Sequence, residues 1–292
     1  MKNYLKSIRD FIIKHIYIII SCIIIITILC NVIVFYVKAF SEEKVFVPII
    51  MYHSVLKDDS KSCDYIITPA TLEKDLIYLR DHGYTTIIVN DLVNFIEKDM
   101  KLPPKPVMLT FDDGFYNNLT YVLPLLKKYN MTAVISIVGK YTEEFSENKD
   151  ENANYSYLSY ENIIELKHSD RIEFGNHSFK LHSDTDKRKG AKINPGESIK
   201  DYQNIFIADT MKTHFNLMEN CNITPYVYAF PYGFYCDEAM GLLKSLGYKA
   251  AFICEEKPNY ITKDADCLFG LNRYNRPANI STKKFMKKAL DG

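Results

Sequence analysis

The segment Pro106–Phe111 constrains the fold most strongly, because it is an apolar run rich in residues that favour strands. Both faces of such a strand would be apolar, which is typical of a parallel strand buried between two layers. Asp112 and Asp113 follow directly, and Gly114 allows the chain to turn away. Carboxylates at the C-terminal end of such a strand lie where α/β proteins place catalytic groups. Adjacent carboxylates repel each other, so we expect one to bind a cation and the other to handle protons. An Asp-Asp-Gly turn with both acids in water is the alternative.

Strand and helix patterns alternate from about residue 45 to the end of the chain. The strand patterns cover residues 47–53, 85–89, 106–111, 132–138, 171–175, 226–230, 250–254 and 268–271. The helix patterns cover 71–82, 92–97, 119–129, 160–168, 201–221, 237–246 and 282–290. Residues 142–156 are polar and predict a surface loop, and residues 180–196 predict an irregular basic segment. This alternation predicts an α/β fold, a distorted (β/α) barrel of about seven strands whose ends converge on one face.

Residues 16–36 contain no charged side chain and are long enough to cross a bilayer as a helix. Four basic residues precede this run and fix the expected orientation. We therefore expect residues 1–15 to be a cytoplasmic tail, 16–36 a transmembrane anchor, 37–44 a linker and 45–292 an extracellular catalytic domain. A cleaved signal peptide is the alternative, although its apolar region is usually shorter and no Ala-x-Ala site follows here.

Charge and cysteine content exclude two classes of function. The 36 basic and 36 acidic residues balance, so the chain lacks the signature of a nucleic-acid-binding protein. Five of the seven cysteines lie beyond residue 45, and no pair has the spacing of a metal site. A zinc site built from cysteines is therefore not expected, and an odd number of cysteines would leave at least one thiol free.

Two further strand ends carry reactive residues, at positions 175–182 and 229–233. The first contains His177 and His182. Two neutral imidazoles and one carboxylate would form a set of three ligands that leaves positions open on a zinc-like ion. Two surface histidines are the alternative for the pair taken alone. Its place at a strand end, in the same array as the two aspartates, favours the metal site.

These segments resemble the polysaccharide deacetylases of carbohydrate esterase family four, whose catalytic unit is the NodB-like domain. Residues 110–114, Thr-Phe-Asp-Asp-Gly, match the first motif of the family completely, and residues 177–182 resemble the second. His182 stands five positions after His177, where four is commoner in the family. This spacing, Tyr52-His53 and the Phe-Pro-Tyr-Gly segment at 230–233 are similar to the branch that deacetylates poly-N-acetylglucosamine in biofilms. The resemblance covers about residues 45–275.

The resemblance implies a role for each residue of these motifs. Asp113, His177 and His182 would hold a divalent metal, with Zn²⁺ favoured and Co²⁺ or Ni²⁺ as alternatives. Asp112 would be the general base, and the backbone N–H of Tyr232 would stabilise the oxyanion. The partner would be an extracellular polysaccharide that contains N-acetylglucosamine, from which acetate is released.

The chain departs from the family pattern in two places. The third motif usually begins with arginine, but Ala229 or Phe230 stands there, so Arg273 or Arg276 could orient the base instead. A pair of surface arginines is the alternative. The late motif with a catalytic histidine is also missing, because no histidine follows His214. Elimination among the seven histidines leaves His53, at the end of the first strand, as the expected proton donor to the leaving amine. A histidine that only packs under the following loop is the alternative.

Two other functions fit the same motifs. The enzyme could deacetylate peptidoglycan or chitooligosaccharides instead. The chain could also be an inactive, membrane-anchored glycan-binding protein. The four intact residues Asp112, Asp113, His177 and His182 argue against that last function.

Overall fold

The computed structural model describes residues 15–17, 19–21, 23–33 and 44–291, and the chain divides into two units, residues 1–43 and 44–292. The expected cytoplasmic tail lies outside the described residues except for His15. The last three residues of the expected anchor and nearly all of the expected linker also lie outside them.

The first unit contains a single apolar helix, α1 (His15–Ile33), among its described residues. Nineteen residues at ~1.5 Å each span roughly 28 Å, close to the thickness of the hydrocarbon layer. Two polar side chains bond back to the helix: Thr27 donates to the carbonyl of Ile23, and Asn31 donates to the carbonyl of Thr27, both at 2.8 Å. The Thr27 hydroxyl and one of the two amide hydrogens of Asn31 are therefore satisfied within the helix itself. By length and composition the helix is a candidate for a single span or a signal sequence.

Fifteen strands and eight helices form the described part of the second unit. The strands are β1 (Val45–Phe46), β2 (Ile49–Tyr52), β3 (Ser54–Val55), β4 (Ile66–Ile67), β5 (Thr85–Ile87), β6 (Pro106–Phe111), β7 (Ala133–Ile137), β8 (Ile172–Asn176), β9 (Asp184–Thr185), β10 (Arg188–Lys189), β11 (Val227–Ala229), β12 (Ala250–Phe252), β13 (Tyr260–Ile261), β14 (Phe269–Leu271) and β15 (Tyr274–Asn275). The helices are α2 (Pro69–Asp81), α3 (Val89–Glu97), α4 (Leu123–Tyr129), α5 (Gly139–Asn148), α6 (Tyr160–Lys167), α7 (Ile199–Cys221), α8 (Asp237–Ser245) and α9 (Thr282–Leu290).

Nine of these strands form one parallel sheet in the order β14-β12-β11-β8-β7-β6-β2-β15, with β5 beside β6. The two outermost strands, β14 and β15, are separated along the chain by Asn272 and Arg273 alone. Because a link of two residues reaches at most about 11 Å, the two edges of the sheet must lie close together, although β14 and β15 are not paired with each other. The sheet therefore curls into a barrel whose seam is one short segment of chain, residues 269–275. The predicted fold class is confirmed, with more strands than the seven expected.

Side chains alternate between the two faces of β6, as the pleat requires. Val107 and Leu109 pack in a cluster with α2, α4 and α6, whereas Met108 packs in a second cluster with the barrel strands and α3. Asp112 is in phase with Met108. The periodicity of the strand thus places the Asp112 carboxylate at the mouth of the barrel rather than under the helices.

The structure corrects the prediction of a surface loop over residues 142–156. Helix α5 begins at Gly139 and ends where Lys149 takes a left-handed conformation. Only Gly139 and Thr142 of this helix are buried, so its sequence lacks the apolar periodicity that reveals a packed helix. The helix predicted over 119–129 instead starts with a π-helical turn, Asn118–Val122. Pro124 falls in the first turn of α4, where no backbone donor is needed.

Candidate active site

A cleft of ≈ 770 Å³ opens at the C-terminal ends of the barrel strands. It is lined by most of the residues that the sequence singled out, namely His53, Asp112, Asp113, His177, His182 and Tyr232. These side chains come from the ends of β2, β6, β8 and β11, which is where parallel barrels bring separate segments together.

Asp112 and Arg273 form a buried ion pair at the base of the cleft. Two guanidinium nitrogens of Arg273 donate to the two carboxylate oxygens of Asp112, each at 2.7 Å, and neither side chain is more than 2% exposed. Burial alone would raise the pKa of Asp112, but Arg273, with smaller contributions from His177 and His53, holds that pKa well below its usual range. The carboxylate is therefore ionised throughout the physiological pH range, with its two oxygens fixed in one plane.

Arg273 is held in place by the seam of the barrel. Its Nε donates to the carbonyl of Ile253 at 3.1 Å, and one Nη lies 3.7 Å from the Cys254 sulfur. Arg276, the other arginine considered from the sequence, does not contact Asp112. It binds the buried carboxylate of Asp75 instead, at 2.8 Å from Nε.

Asp113, His177 and His182 bring three donor atoms within 4.8 Å of one another. Asp113 Oδ1 lies 3.5 Å from His177 Nε2 and 3.0 Å from His182 Nε2. A tetrahedral ion with bonds of about 2.0–2.1 Å would separate its ligands by roughly 3.3–3.4 Å, which is close to the two distances from Asp113 Oδ1. Asp113 Oδ1 is also buried without a well-aligned hydrogen bond within the described part of the chain. The donor set thus fits a metal ion.

The protonation of His177 suits a metal ligand. Its Nδ1 lies 2.8 Å from the carbonyl of Ala229, which requires the proton on Nδ1 and leaves the Nε2 lone pair facing Asp113. Burial is the main cause that lowers the pKa of His177 to about 4, with the two nearby aspartates acting in the opposite direction. The imidazole is therefore neutral at neutral pH, as a metal ligand must be.

The backbone turns into the cleft through strained conformations after three strands. Asp113, Ser178 and Tyr232 all have positive φ, at 73°, 72° and 57°. Such conformations cost roughly 1–3 kcal/mol each in residues other than glycine, and they cluster at functional sites. Gly114 also has positive φ, and a Cβ there would lie 2.8 Å from Ile137 Cδ1. The turn after β6 therefore requires glycine at this position.

Tyr232 and His53 stand on the walls of the cleft. The Tyr232 ring is 48% exposed, and its hydroxyl lies 3.4 Å from His182 Nδ1. The His53 ring packs against the edge of Tyr65, with centroids 4.9 Å apart. His53 Nδ1 is buried and has no hydrogen-bond partner within the described residues.

Several aromatic residues near the site carry no signal in the sequence. Tyr65 is 58% exposed and lines the cleft beside His53. Tyr141 stacks on Tyr157 at 4.3 Å and lies edge-on to His182 at 6.3 Å. The chain has 22 tyrosines, and no motif separates these three from the rest. Only the folded chain identifies them as neighbours of the site.

Comparisons with known proteins identify the family to which the chain belongs. The sequence model of the polysaccharide deacetylase family matches residues 99–251, more than half of the chain. The poly-β-1,6-N-acetyl-D-glucosamine N-deacetylase of Escherichia coli K12 is 23% identical over 259 residues, which cover 82% of this chain and 38% of that protein. The Staphylococcus aureus protein of the same name is 26% identical over 195 residues, covering 66% and 63%. The chain thus spans less than two thirds of either relative.

Solved structures share the fold. The Streptococcus pyogenes deacetylase PplD, in complex with acetate, has a TM-score of 0.68 and 22% identity, covering 84% of this chain and 99% of that one. IcaB from Ammonifex degensii has a TM-score of 0.66 and 22% identity, covering 84% and 95%. With the match to the family model, and with the motif residues gathered in one cleft, the chain belongs to the polysaccharide deacetylase family.

Proposed function

We propose that this protein is a metal-dependent N-deacetylase of an extracellular polysaccharide of the poly-N-acetylglucosamine type. The observation that carries the proposal is the placement of an ionised, arginine-bound carboxylate beside three converging metal-ligand atoms. Asp112 and Asp113 are adjacent in sequence, but Arg273 binds the first and the two histidines surround the second. These different environments support Asp112 as the base and Asp113 as a metal ligand.

The residues of the cleft divide the work of amide hydrolysis. A divalent cation held by Asp113, His177 and His182 would acidify a water molecule and polarise the acetyl carbonyl. Asp112 accepts the proton of the attacking water, and Arg273 keeps its carboxylate oriented towards that water. The backbone N–H of Tyr232 stabilises the developing oxyanion. His53 donates a proton to the departing amine, and acetate and a free amino sugar result.

The names of the E. coli and S. aureus relatives support the choice of polymer. The purified full chain, loaded with Zn²⁺, should release acetate from β-1,6-linked N-acetylglucosamine pentamers. Under the same conditions, chitopentaose and peptidoglycan should release acetate at lower rates. Faster release from peptidoglycan would reassign the polymer and keep the chemistry. A metal-loaded protein that binds the pentamer without releasing acetate would instead be a glycan-binding protein.

The proposed proton donor makes a specific prediction. His53→Ala should lower turnover of the amide substrate by roughly 10²–10⁴-fold, the usual contribution of a general acid. The same variant should hydrolyse 4-nitrophenyl acetate at close to the wild-type rate, because 4-nitrophenolate leaves without a proton. His214→Ala, in α7 and outside the cleft, is the matched control and should keep both activities. Near wild-type amide turnover by His53→Ala would remove His53 from the mechanism.

We further propose that α1 anchors the protein with its N-terminus in the cytoplasm and the deacetylase domain outside. The charge asymmetry around the helix supports this orientation, since basic residues precede it. Protease added to intact cells should digest the domain and leave a short membrane-bound stub. Full protection of the domain would contradict this topology. Recovery of a soluble form that begins after Ala39 would favour a cleaved signal sequence.

A further inference from the structure

Two adjacent asparagines follow the Asp-Asp motif and are not explained by the base or the metal ligands. Asn117 is 1% exposed and Asn118 is fully buried. Asn118 begins the π-helical turn that precedes α4. π-helical turns are rare in proteins, and those that occur are often found at functional sites. A buried amide is costly unless its hydrogen bonds are made, so the partners of these two side chains show what they hold.

Both side chains bond to the segment that leaves β2. Asn118 Nδ2 donates to the carbonyl of His53 at 3.2 Å. Asn117 Nδ2 donates to Ser54 Oγ at 2.9 Å, and its Oδ1 accepts from the Val55 N–H at 3.0 Å. A further contact of 3.3 Å joins Asn118 Nδ2 to Asn117 Oδ1. Three consecutive residues, starting with His53, are therefore held by the segment that follows Asp112 and Asp113.

These contacts begin where the hydrogen-bonded pairing of β2 with β6 ends. The pairing of β2 with β6 ends at Tyr52 and Phe111, and the Asp112 N–H donates to the Tyr52 carbonyl at 3.0 Å. His53 lies one residue beyond that point. The β2–β6 ladder therefore ends before His53. Beyond that point Asn118 holds the His53 carbonyl, while Asn117 and the pairing of β3 with β4 hold the next two residues.

The His53 imidazole has little else to orient it. Its Nδ1 makes no hydrogen bond within the described residues, and its ring rests against the edge of Tyr65. Tyr65 is itself 58% exposed. The placement of the ring thus depends mainly on the placement of its own backbone, and Asn118 is the side chain that donates a hydrogen bond to the His53 carbonyl itself.

We propose that Asn118 is a positioning residue for His53. This inference rests on the proposed function, and specifically on His53 as the proton donor to the departing amine. Asn118 fixes the end of β2 so that the imidazole reaches the leaving nitrogen while the base and the metal ligands hold the acetyl group. A displacement of about 1 Å at such a group costs on the order of 10²-fold in rate.

The experiment compares two substrates of the full-length, Zn²⁺-loaded protein in detergent. The amide substrate is the β-1,6-linked N-acetylglucosamine pentamer, which needs a proton on its leaving group, and the ester is 4-nitrophenyl acetate, which does not. Asn118→Ala should lower kcat on the amide by roughly 10- to 100-fold with KM nearly unchanged. Its activity on the ester should stay within about threefold of wild type, since base and metal ligands are intact.

Asn162→Ala is the matched control. Asn162 is also buried, but it caps α6 and bonds to Ser159 and Glu151. Its loss should lower the melting temperature without changing the ratio of amide to ester activity. If Asn118→Ala does not fold, Asn118→Asp keeps the shape of the side chain and removes the N–H donors, and the same selective loss is expected.

The outcomes separate this inference from the proposed function. Equal losses on both substrates, or full amide activity, in a folded and metal-loaded Asn118 variant would overturn the positioning role. The His53→Ala variant is measured in parallel. If it keeps its amide activity, the role of His53 fails. If it loses amide activity while the Asn118 variant does not, only the present inference fails.

Discussion

His182→Ala is expected to lose bound metal and to lower acetate release by at least roughly 10³-fold, the scale of losing a principal electrostatic stabiliser. His182 Nε2 lies 3.0 Å from Asp113 Oδ1, and the substitution removes this nitrogen, which is one of the three converging donor atoms. Two ligands hold a zinc-like ion far less tightly than three, so the metal should dialyse away. Metal content by mass spectrometry and acetate release, measured on the same sample, check this prediction. Asp113→Ala and His177→Ala should behave alike.

Asp112→Asn is the informative comparison for that experiment. It removes the base but no metal ligand, so the variant should keep its metal and lose most of its activity. His168→Ala, at the C-terminus of α6, serves as the neutral histidine control. A His182→Ala protein with full metal content would remove His182 from the ligand set. Strong acetate release by Asp112→Asn would remove Asp112 as the base.

Arg276→Met is expected to destabilise the deacetylase domain by about 3–5 kcal/mol, the usual cost of leaving one partner of a buried ion pair alone. Asp75 is fully buried, and it accepts hydrogen bonds from Arg276, from Tyr52 at 3.2 Å and from Thr282 at 2.6 Å. Removing the guanidinium leaves a buried carboxylate without a counter-charge, with only the two hydroxyl groups as hydrogen-bond donors. Urea unfolding of the full chain, followed by circular dichroism, measures the loss.

Lys128→Met provides the matched control for the same measurement. The pair Lys128–Glu73 is closer, at 2.6 Å, but the lysine side chain is 61% exposed. Its loss should lower the stability far less than Arg276→Met does, because water and salt screen an exposed ion pair. The double variant Asp75→Leu with Arg276→Met should recover much of the stability, because it leaves no unpaired charge. Equal losses for the two single methionine variants would show that burial of Asp75 does not govern the effect.

The sequence reveals the site where its residues lie in motifs next to strands. Asp112 and Asp113 end an apolar run, and His177 and His182 follow a strand. Because parallel strands end on one face of the barrel, the topology alone brings these four residues together. Arg273 could not be distinguished from Arg276 in this way. Both follow the same late strand, three positions apart, and only the closure of the barrel decides which one meets Asp112.

Three other features could not be predicted from the sequence, each for a different physical reason. Helix α5 is polar over most of its length and buries only two residues, so no periodicity reveals it. The two-residue strand β15 is too short to form a pattern, and it exists because the seam pairs it with β2. Asn118 looks like one more polar residue near a turn. Its importance depends on the carbonyl of His53, which is 65 positions away in the chain.

The seam of the barrel carries Arg273, so the orientation of Asp112 depends on a segment that is synthesised late. Asp112 and Arg273 are 161 residues apart, and the segment that carries the arginine also joins the two edges of the sheet. Contacts of such long range form late in folding. During synthesis, a chain that has emerged only as far as His182 therefore already contains both aspartates and both histidines, but Arg273 is not yet present to orient Asp112, the proposed base. We therefore expect the chain to gain deacetylase activity only when the two edges of the sheet come together. A chain that has only partly emerged should be inactive.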